Sequence, residues 1–134
     1  MILVDTSVLL DVLGNDAIWA DWSQSALESA AATDNLAIND IVYAELSSQF
    51  ATIEKLDAAI ATMGLTHAAL PRAALFLAGK AFLLYRSRRG ARTGVLSDFF
   101  IGAHAAIEGC RLVTRDTRHV SSYFPDVSLI APRT

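Results

Sequence analysis

An unbroken apolar run at the start of the chain constrains its fold more than any other feature of the sequence. Ile2, Leu3 and Val4 follow one another with no polar residue between them. A continuous run of this kind is typical of a strand whose sheet is covered on both faces, as in parallel sheets. The run ends at Asp5, and the carboxyl end of a central strand is where open α/β sheets bind their ligands. Asp5 is therefore the first candidate for a functional residue.

The rest of the chain alternates helical and extended segments. Thr6 and Ser7 can cap a short helix that carries Val8, Leu9, Val12 and Leu13. Asn39 or Asp40 can cap the third helix, and Ser97 can cap the last long one. The other helices are predicted over residues 17–33, 41–50, 52–63, 72–88 and 98–108, and the other strands over residues 36–38, 111–113 and 127–130. Strands that alternate with helices predict an α/β fold with a central parallel sheet covered by helices.

Length and composition limit the class of protein. The 134 residues are expected to form a single domain, residues 1–134, and a hydrophobic content of 53% suggests that some apolar surface contacts a partner. No basic leader precedes the first strand, and the apolar stretch at residues 73–85 is too short to span a bilayer. The single cysteine, Cys110, excludes an internal disulfide framework and a cysteine-rich zinc site. These features favour a cytoplasmic protein without a membrane partner.

Charge is divided unevenly along the chain. Residues 1–57 contain ten acids and one base, a net charge of −9, whereas residues 58–134 contain four acids and ten bases, a net charge of +6. Nine of the eleven bases lie between Arg72 and Arg118. Such asymmetry favours a polyanionic ligand.

Four carboxylates lie where a parallel sheet gathers side chains. Asp5 and Asp116 follow strands, Glu45 lies in the helix after the second strand, and Asp98 begins a helix. Singly, Asp98 could complement a helix dipole, Glu45 could be a surface acid and Asp116 could belong to a turn. Together they would repel one another and raise their own pKa values unless a cation lay between them. All-oxygen ligands suit Mg²⁺ or Mn²⁺, and acid clusters that hold such ions hydrolyse phosphodiesters.

The motifs around these acids resemble those of PIN-domain nucleases, specifically the VapC toxins of bacterial toxin–antitoxin pairs. They are Asp5-Thr6-Ser7, Ala44-Glu45-Leu46, Ser97-Asp98-Phe99-Phe100 and Thr114-Arg115-Asp116, in that order. The resemblance covers essentially the whole chain, and it implies a three-layer α/β/α PIN-like fold. It also implies an Mg²⁺- or Mn²⁺-dependent endoribonuclease whose catalytic and metal-binding residues are Asp5, Glu45, Asp98 and Asp116. Thr6, Ser7 and Thr114 resemble the hydroxyl residues beside the acids, although Ser7 is equally well explained as a helix cap.

The same resemblance implies the partners. They are an RNA substrate, with tRNA or ribosomal RNA as examples, a second copy in a homodimer, and a VapB-like antitoxin through which DNA is contacted only indirectly. Apolar helices at residues 52–63 and 72–88 are the expected surfaces for the antitoxin or the second copy.

Arginines surround two of the acids in the sequence. Cations at the end of a helix can simply complement its dipole, but a site of four acids without a basic rim would repel RNA. The candidate RNA contacts are therefore Arg86, Arg88, Arg89, Arg92, Arg115 and Arg118. His104, two turns beyond Asp98, is predicted to be a packed histidine rather than a catalyst.

Two other functions compete with a nuclease. An aspartyl-phosphate phosphatase or receiver could use Asp5 as its nucleophile, but Ser7 stands where Asp-x-Asp phosphatases have their second acid. A binding module could act on DNA only as a corepressor with an antitoxin, but the complete set of acids argues against that as its sole role.

Overall fold

A sheet of five parallel strands forms the centre of the protein. The computed structural model describes residues 1–88 and 96–133. Within them the strands follow the order β3-β2-β1-β4-β5. They are β1 Ile2–Val4, β2 Leu36–Ile38, β3 Thr66–His67, β4 Arg111–Val113 and β5 Leu129–Ile130. The helices that cover them are α1 Thr6–Leu13, α2 Ala20–Ala31, α3 Asp40–Leu46, α4 Ile53–Thr62, α5 Arg72–Ser87, α6 Leu96–Glu108 and α7 Arg118–Tyr123, with a 3₁₀ turn at Ser47–Gln49. The predicted α/β fold with a covered parallel sheet is confirmed.

The central position of β1 explains its continuous apolar sequence. Ile2, Leu3 and Val4 are each no more than 2% exposed, because β2 pairs with one side of β1, β4 with the other, and helices cover the sheet. The strands β2 and β4 are likewise apolar and buried, apart from Arg111 at the start of β4. The core therefore lies on both faces of the sheet.

The parallel pairing of β1 with β4 brings distant parts of the chain together at one edge. Val4 pairs with Val113 in the strand register, and the Asp5 amide donates a hydrogen bond of 2.9 Å to the Val113 carbonyl. The next residue, Thr114, donates its amide to Ile130 of β5 at 3.1 Å. Residues that directly follow β1 and β4 are therefore neighbours at the carboxyl edge of the sheet.

Helix α6, which carries Asp98, packs closely against α5 and α7. A side chain at Gly102 would meet the Phe124 ring, since a Cβ atom placed there lies 2.5 Å from it. Phe99 is fully buried, and its ring lies 5.2 Å from that of Tyr123 and 5.7 Å from that of Phe82. The left-handed backbone of Gly109, with φ of 62°, ends the helix as predicted.

Several boundaries differ from the sequence prediction. The cap of α1 is Asp5 and no side-chain cap bond forms, so the predicted capping by Thr6 or Ser7 is wrong. Ser97 lies inside α6 rather than before it, and α2 begins at residue 20 instead of 17. The prediction of Asn39 as a cap is confirmed, because its side chain accepts the amides of Ile41 and Val42, each at 3.0 Å.

One strand was not predicted. β3 is two residues long, at the edge of the sheet, and both Thr66 and His67 are exposed, so it carries no apolar pattern. Within residues 1–88 and 96–133, none of the helices has the length and apolar character needed to cross a membrane.

Candidate active site

The four predicted acids occupy the positions that the sheet topology gives them. Asp5 directly follows β1, Asp116 is the third residue after β4, Glu45 is in α3 and Asp98 is in the first turn of α6. Asp5 is 8% exposed, although it is ionisable. Glu45 and Asp98 lie close enough to Asp5 to interact with it electrostatically, and Asp116 lies close enough to Asp98.

Three hydroxyl groups bind the acids directly. Ser7 and Thr114 each donate a hydrogen bond of 2.8 Å to the same oxygen, Oδ2 of Asp5. Thr6 donates one of 2.6 Å to Oε1 of Glu45. The Thr114 hydroxyl also accepts the amide of Asp116 at 3.2 Å, so one side chain links the ends of β1 and β4. The hydroxyl residues named by the sequence resemblance are therefore brought to the acids.

Burial and mutual repulsion raise the pKa values of two of these acids. For Asp98 the pKa rises to about 7, first because of burial and then because of the charges of Asp5, Asp116 and Glu45, while Arg118 opposes the change. For Asp5, burial raises the pKa, the hydrogen bonds from Ser7 and Thr114 lower it, and Glu45 raises it again. The four acids therefore behave as one electrostatic cluster with excess negative charge.

The donor chemistry of the cluster fits a hard divalent cation. Its ligand atoms would all be carboxylate oxygens, which suit Mg²⁺ or Mn²⁺. A cation would also remove the repulsion that raises the pKa of Asp98. In the side-chain positions of residues 1–88 and 96–133, no group of three or more Asp, Glu, His or Cys side chains is close enough to hold a metal ion. Side-chain rotation of the acids would accompany cation binding.

Sequence reasoning missed a histidine beside the cluster. The Nδ1 atom of His119 lies 3.4 Å from Oδ2 of Asp98. Its ring packs edge-on against Tyr85, with centroids 5.4 Å apart, and tilted against Phe99 at 5.7 Å. The available signal was its position three residues after Asp116, within reach of the same sheet edge.

His104 is buried away from the acids and is fixed by a helix cap. Because Oδ1 of Asn39 accepts two backbone amides, its Nδ2 faces Nδ1 of His104 at 3.2 Å. That nitrogen must accept the bond, so the proton of the neutral ring lies on Nε2. Burial lowers the pKa of His104, although Glu108 and Asp40 oppose the change. The prediction of a packed histidine agrees with this placement.

The arginines differ in their surroundings. Arg86 lies in the last turn of α5, Arg88 lies 5.5 Å from the ring centroid of Tyr123, and the amide of Arg118 donates to Asp116 at 3.3 Å. Arg115 instead forms an ion pair of 2.8 Å with Asp11 of α1. Two further candidate RNA contacts, Arg89 and Arg92, lie outside the described residues.

Comparison with known proteins gives a family match and several structural neighbours. The model of the PIN domain family matches residues 2–124. A structure of VapBC2 from Rickettsia felis, bound to a DNA fragment from the promoter, has 21% identity and a TM-score of 0.72, with 98% of each chain covered. VapBC-1 from nontypeable Haemophilus influenzae has 17% identity, a TM-score of 0.70 and coverage of 98% of each chain. DNA-bound VapBC from Salmonella typhimurium has 15% identity and a TM-score of 0.70, with 97% of this chain and 96% of that one covered. No curated protein matches the chain.

Proposed function

This chain belongs to the PIN domain family, and from that premise we propose that it is a divalent-metal-dependent endoribonuclease that acts as the toxin of a toxin–antitoxin pair. The observation that carries the proposal is the cluster of Asp5, Glu45, Asp98 and Asp116, in which burial and repulsion raise the pKa of Asp98 to about 7. Acids that repel one another in this way are unfavourable for stability, so a cation and a substrate are the expected partners of the cluster.

The proposed chemistry is hydrolysis of a phosphodiester bond by water. The four acids would hold Mg²⁺ or Mn²⁺, which would polarise the phosphate, lower the pKa of the attacking water and stabilise the leaving oxygen. Ser7 and Thr114 fix Oδ2 of Asp5, and Thr6 fixes Oε1 of Glu45. These bonds hold one oxygen of each carboxylate and so support its orientation beside the other acids.

Arginines outside the four acids would contact the phosphates of RNA. Arg88 lies near Tyr123, whose ring packs on Phe99 beside Asp98, and Arg118 lowers the pKa of Asp98. The proposed set is Arg86, Arg88, Arg89, Arg92 and Arg118. Arg115 is left out of it because its guanidinium binds Asp11. The set would draw a polyanion toward acids that would otherwise repel it.

The apolar surfaces of α4 and α5 support the proposal of protein partners. On α5, Leu75, Phe76, Leu83 and Leu84 are 43–69% exposed, and we assign this face to a second copy of the chain. On α4, Ile53 is 62% exposed and lines a groove with Phe50 and Leu56. We assign this groove to a VapB-like antitoxin, because the structural neighbours are toxin–antitoxin complexes. Contact with DNA would come through the antitoxin, in the cytoplasm.

Cleavage of cellular RNA by the purified, antitoxin-free protein tests the proposal. We expect discrete cuts with Mg²⁺ or Mn²⁺, mapped by end sequencing, and none with EDTA. Asp5→Asn should lower the rate by at least about 100-fold, because it removes a negative ligand from the cluster. Asp21→Asn, which neutralises an exposed acid on α2, is the matched control and should cleave as the wild type does.

Two other results would overturn this function. Equal cleavage by the wild type and Asp5→Asn would show that the acids have another role. If neither cleaves RNA, trapping of the protein by beryllium fluoride would favour an aspartyl-phosphate enzyme. DNA binding together with an antitoxin that survives Asp5→Asn, without any cleavage, would favour a corepressor.

A further inference from the structure

Arg115 lies between Thr114 and Asp116 in the sequence, but its side chain binds Asp11 of α1. Its Nε donates 2.8 Å to Oδ2 of Asp11, and its Nη2 donates 3.0 Å to Oδ1. This is the two-bond fork of an arginine–carboxylate pair. The guanidinium carbon lies 5.3 Å from the centroid of the Trp19 ring, which adds a cation–π contact.

The partner of Arg115 is more deeply buried than any acid of the cluster. Asp11 is 3% exposed, and fully buried Ser23 on α2 donates a further hydrogen bond of 2.8 Å to its Oδ2. If Arg115 moved to a phosphate, a charged carboxylate would remain buried without its cation, which is strongly unfavourable. The geometry therefore argues against Arg115 as an RNA contact and for a fixed position.

The position of Arg115 affects where Thr114 and Asp116 lie, because Arg115 is the residue between them in the chain. The Thr114 hydroxyl binds Asp5 and accepts the amide of Asp116, and the amide of Arg115 lies 3.5 Å from the Ser7 hydroxyl. The segment after β4 is thus attached to Asp5 by the Thr114 hydroxyl, to Ser7 of α1 by the Arg115 amide, and to Asp11 of α1 by the Arg115 side chain. Of these three attachments, only the last is an ion pair.

We propose that Asp11 and Arg115 form a positioning pair that holds the segment carrying Thr114 and Asp116 against the acid cluster. Neither residue touches the RNA or the cation; each acts by fixing where Asp116 can lie. This inference rests on the proposed nuclease function, and it deepens that function by naming two residues outside the four acids on which activity depends.

Changing each member of the pair separately distinguishes a positioning role from RNA binding. Asp11→Asn keeps Arg115 but removes the charge that holds it, whereas Arg115→Met removes the guanidinium itself. A positioning pair predicts that both variants lose about 10- to 100-fold in kcat and in Mn²⁺ affinity measured by electron paramagnetic resonance, with the KM for RNA almost unchanged. An RNA contact predicts instead that Arg115→Met raises KM while Asp11→Asn leaves it unchanged or lowers it.

Two further variants separate positioning from a general loss of stability. Arg115→Lys keeps the charge but not the two-bond fork, so it should recover only part of kcat. Arg111→Met removes an exposed arginine at the opposite end of the same strand and should behave as the wild type. All variants are compared at a temperature at which circular dichroism shows each to be folded.

Hydrogen exchange tests the pair without RNA or metal. Amides of residues 114–117 should exchange faster in both Asp11→Asn and Arg115→Met than in the wild type, while those of β1 stay protected. Unchanged exchange in both variants overturns the inference, as does a rise in KM confined to Arg115→Met. Absence of cleavage by the wild type overturns the nuclease proposal, whereas the exchange result still decides whether the pair holds the segment.

Discussion

Asp5 and Asp11 are both buried acids of the first strand–helix unit, yet the fold compensates their charges differently. Asp11 is 3% exposed and has a guanidinium with two bonds to it, plus the hydroxyl of Ser23. Asp5 is 8% exposed and accepts hydrogen bonds from the hydroxyls of Ser7 and Thr114 and from the backbone of Thr6, while burial above all, and then the charge of Glu45, raise its pKa.

The difference separates a structural charge from a functional one. A buried carboxylate that the chain itself neutralises stabilises the arrangement of helices around it. A buried carboxylate that the chain leaves without a cation must receive one from outside or remain partly protonated. The charge of Asp11 is therefore balanced within the fold, whereas under the proposed function a cation would balance the charge around Asp5.

The largest expected effect comes from neutralising each acid in turn in the metal-free protein. Asp11→Asn should lower the free energy of unfolding by about 3 kcal/mol, the lower end of the range for a broken buried pair, because the Arg115 side chain is 32% exposed. Asp5→Asn should leave the free energy of unfolding unchanged or raise it, since it removes repulsion. Urea denaturation at pH 7.5 in EDTA measures both, and an equal loss in both variants would contradict the comparison.

The contrast between the two acids also shows what a sequence can and cannot reveal. Asp5 was predictable because it ends a continuous apolar strand, a local pattern with a known topological consequence. The role of Asp11 was not, because its partner Arg115 is 104 residues away in the chain and their contact exists only once β4 lies beside β1. Arg115 was accordingly predicted to bind RNA, from its place beside Asp116.

Other outcomes follow the same division. The α/β class and most helices were predicted from apolar spacing, whereas β3 has no such spacing because it is short and exposed. His119 was missed because its proximity to Asp98 depends on how α7 packs against α6. The four acids as ligands and catalysts remain a prediction that the proposed cleavage experiment tests.

Neutralising Asp98 is expected to change the free energy of unfolding less than neutralising Asp11 does, and the change should depend on pH. Its folded pKa of about 7 lies above the ordinary value of 3.8, so the folded state holds a proton that the unfolded state has lost. Stability therefore falls as pH rises from about 4 to 7, and the penalty is complete above that range. Asp98→Asn should be more stable than the wild type by about 2 kcal/mol at pH 8, roughly half the full conversion of the pKa shift because the side chain is 29% exposed.

Denaturation at pH 8 and at pH 4 checks this expectation. The advantage of Asp98→Asn should nearly vanish at pH 4, where the wild-type acid is protonated in the folded protein. Saturating Mg²⁺ at pH 8 should remove the advantage as well, because the cation neutralises the cluster in the wild type. An advantage that persists unchanged at pH 4 would point to altered packing rather than to charge.

His104 is an ionisable group that is buried in its neutral form, unlike Asp11 and Asp5. Its protonation is expected to have the smallest effect on stability of those considered. His104 is 1% exposed, burial lowers its pKa, and Asn39 donates to its Nδ1. Because its folded pKa is lowered, the unfolded state binds more protons as pH falls below about 6.5, so stability decreases there. Asp40 and Glu108 act against this loss. We expect the resulting decrease in the free energy of unfolding to be smaller than the effects at Asp11 and Asp98.

Asn39→Asp is the variant that sharpens this last prediction, because aspartate caps a helix as well as asparagine does. The new carboxylate would face Nδ1 of His104 and favour the charged ring, so the pKa of His104 should rise. The contribution of His104 to stability would then be present at low pH and lost as pH rises through that raised pKa, the reverse of the wild type. Urea denaturation from pH 5 to pH 8 measures both slopes. Parallel slopes in the two proteins would mean that the cap does not control the protonation of His104, and that its neutrality comes from burial alone.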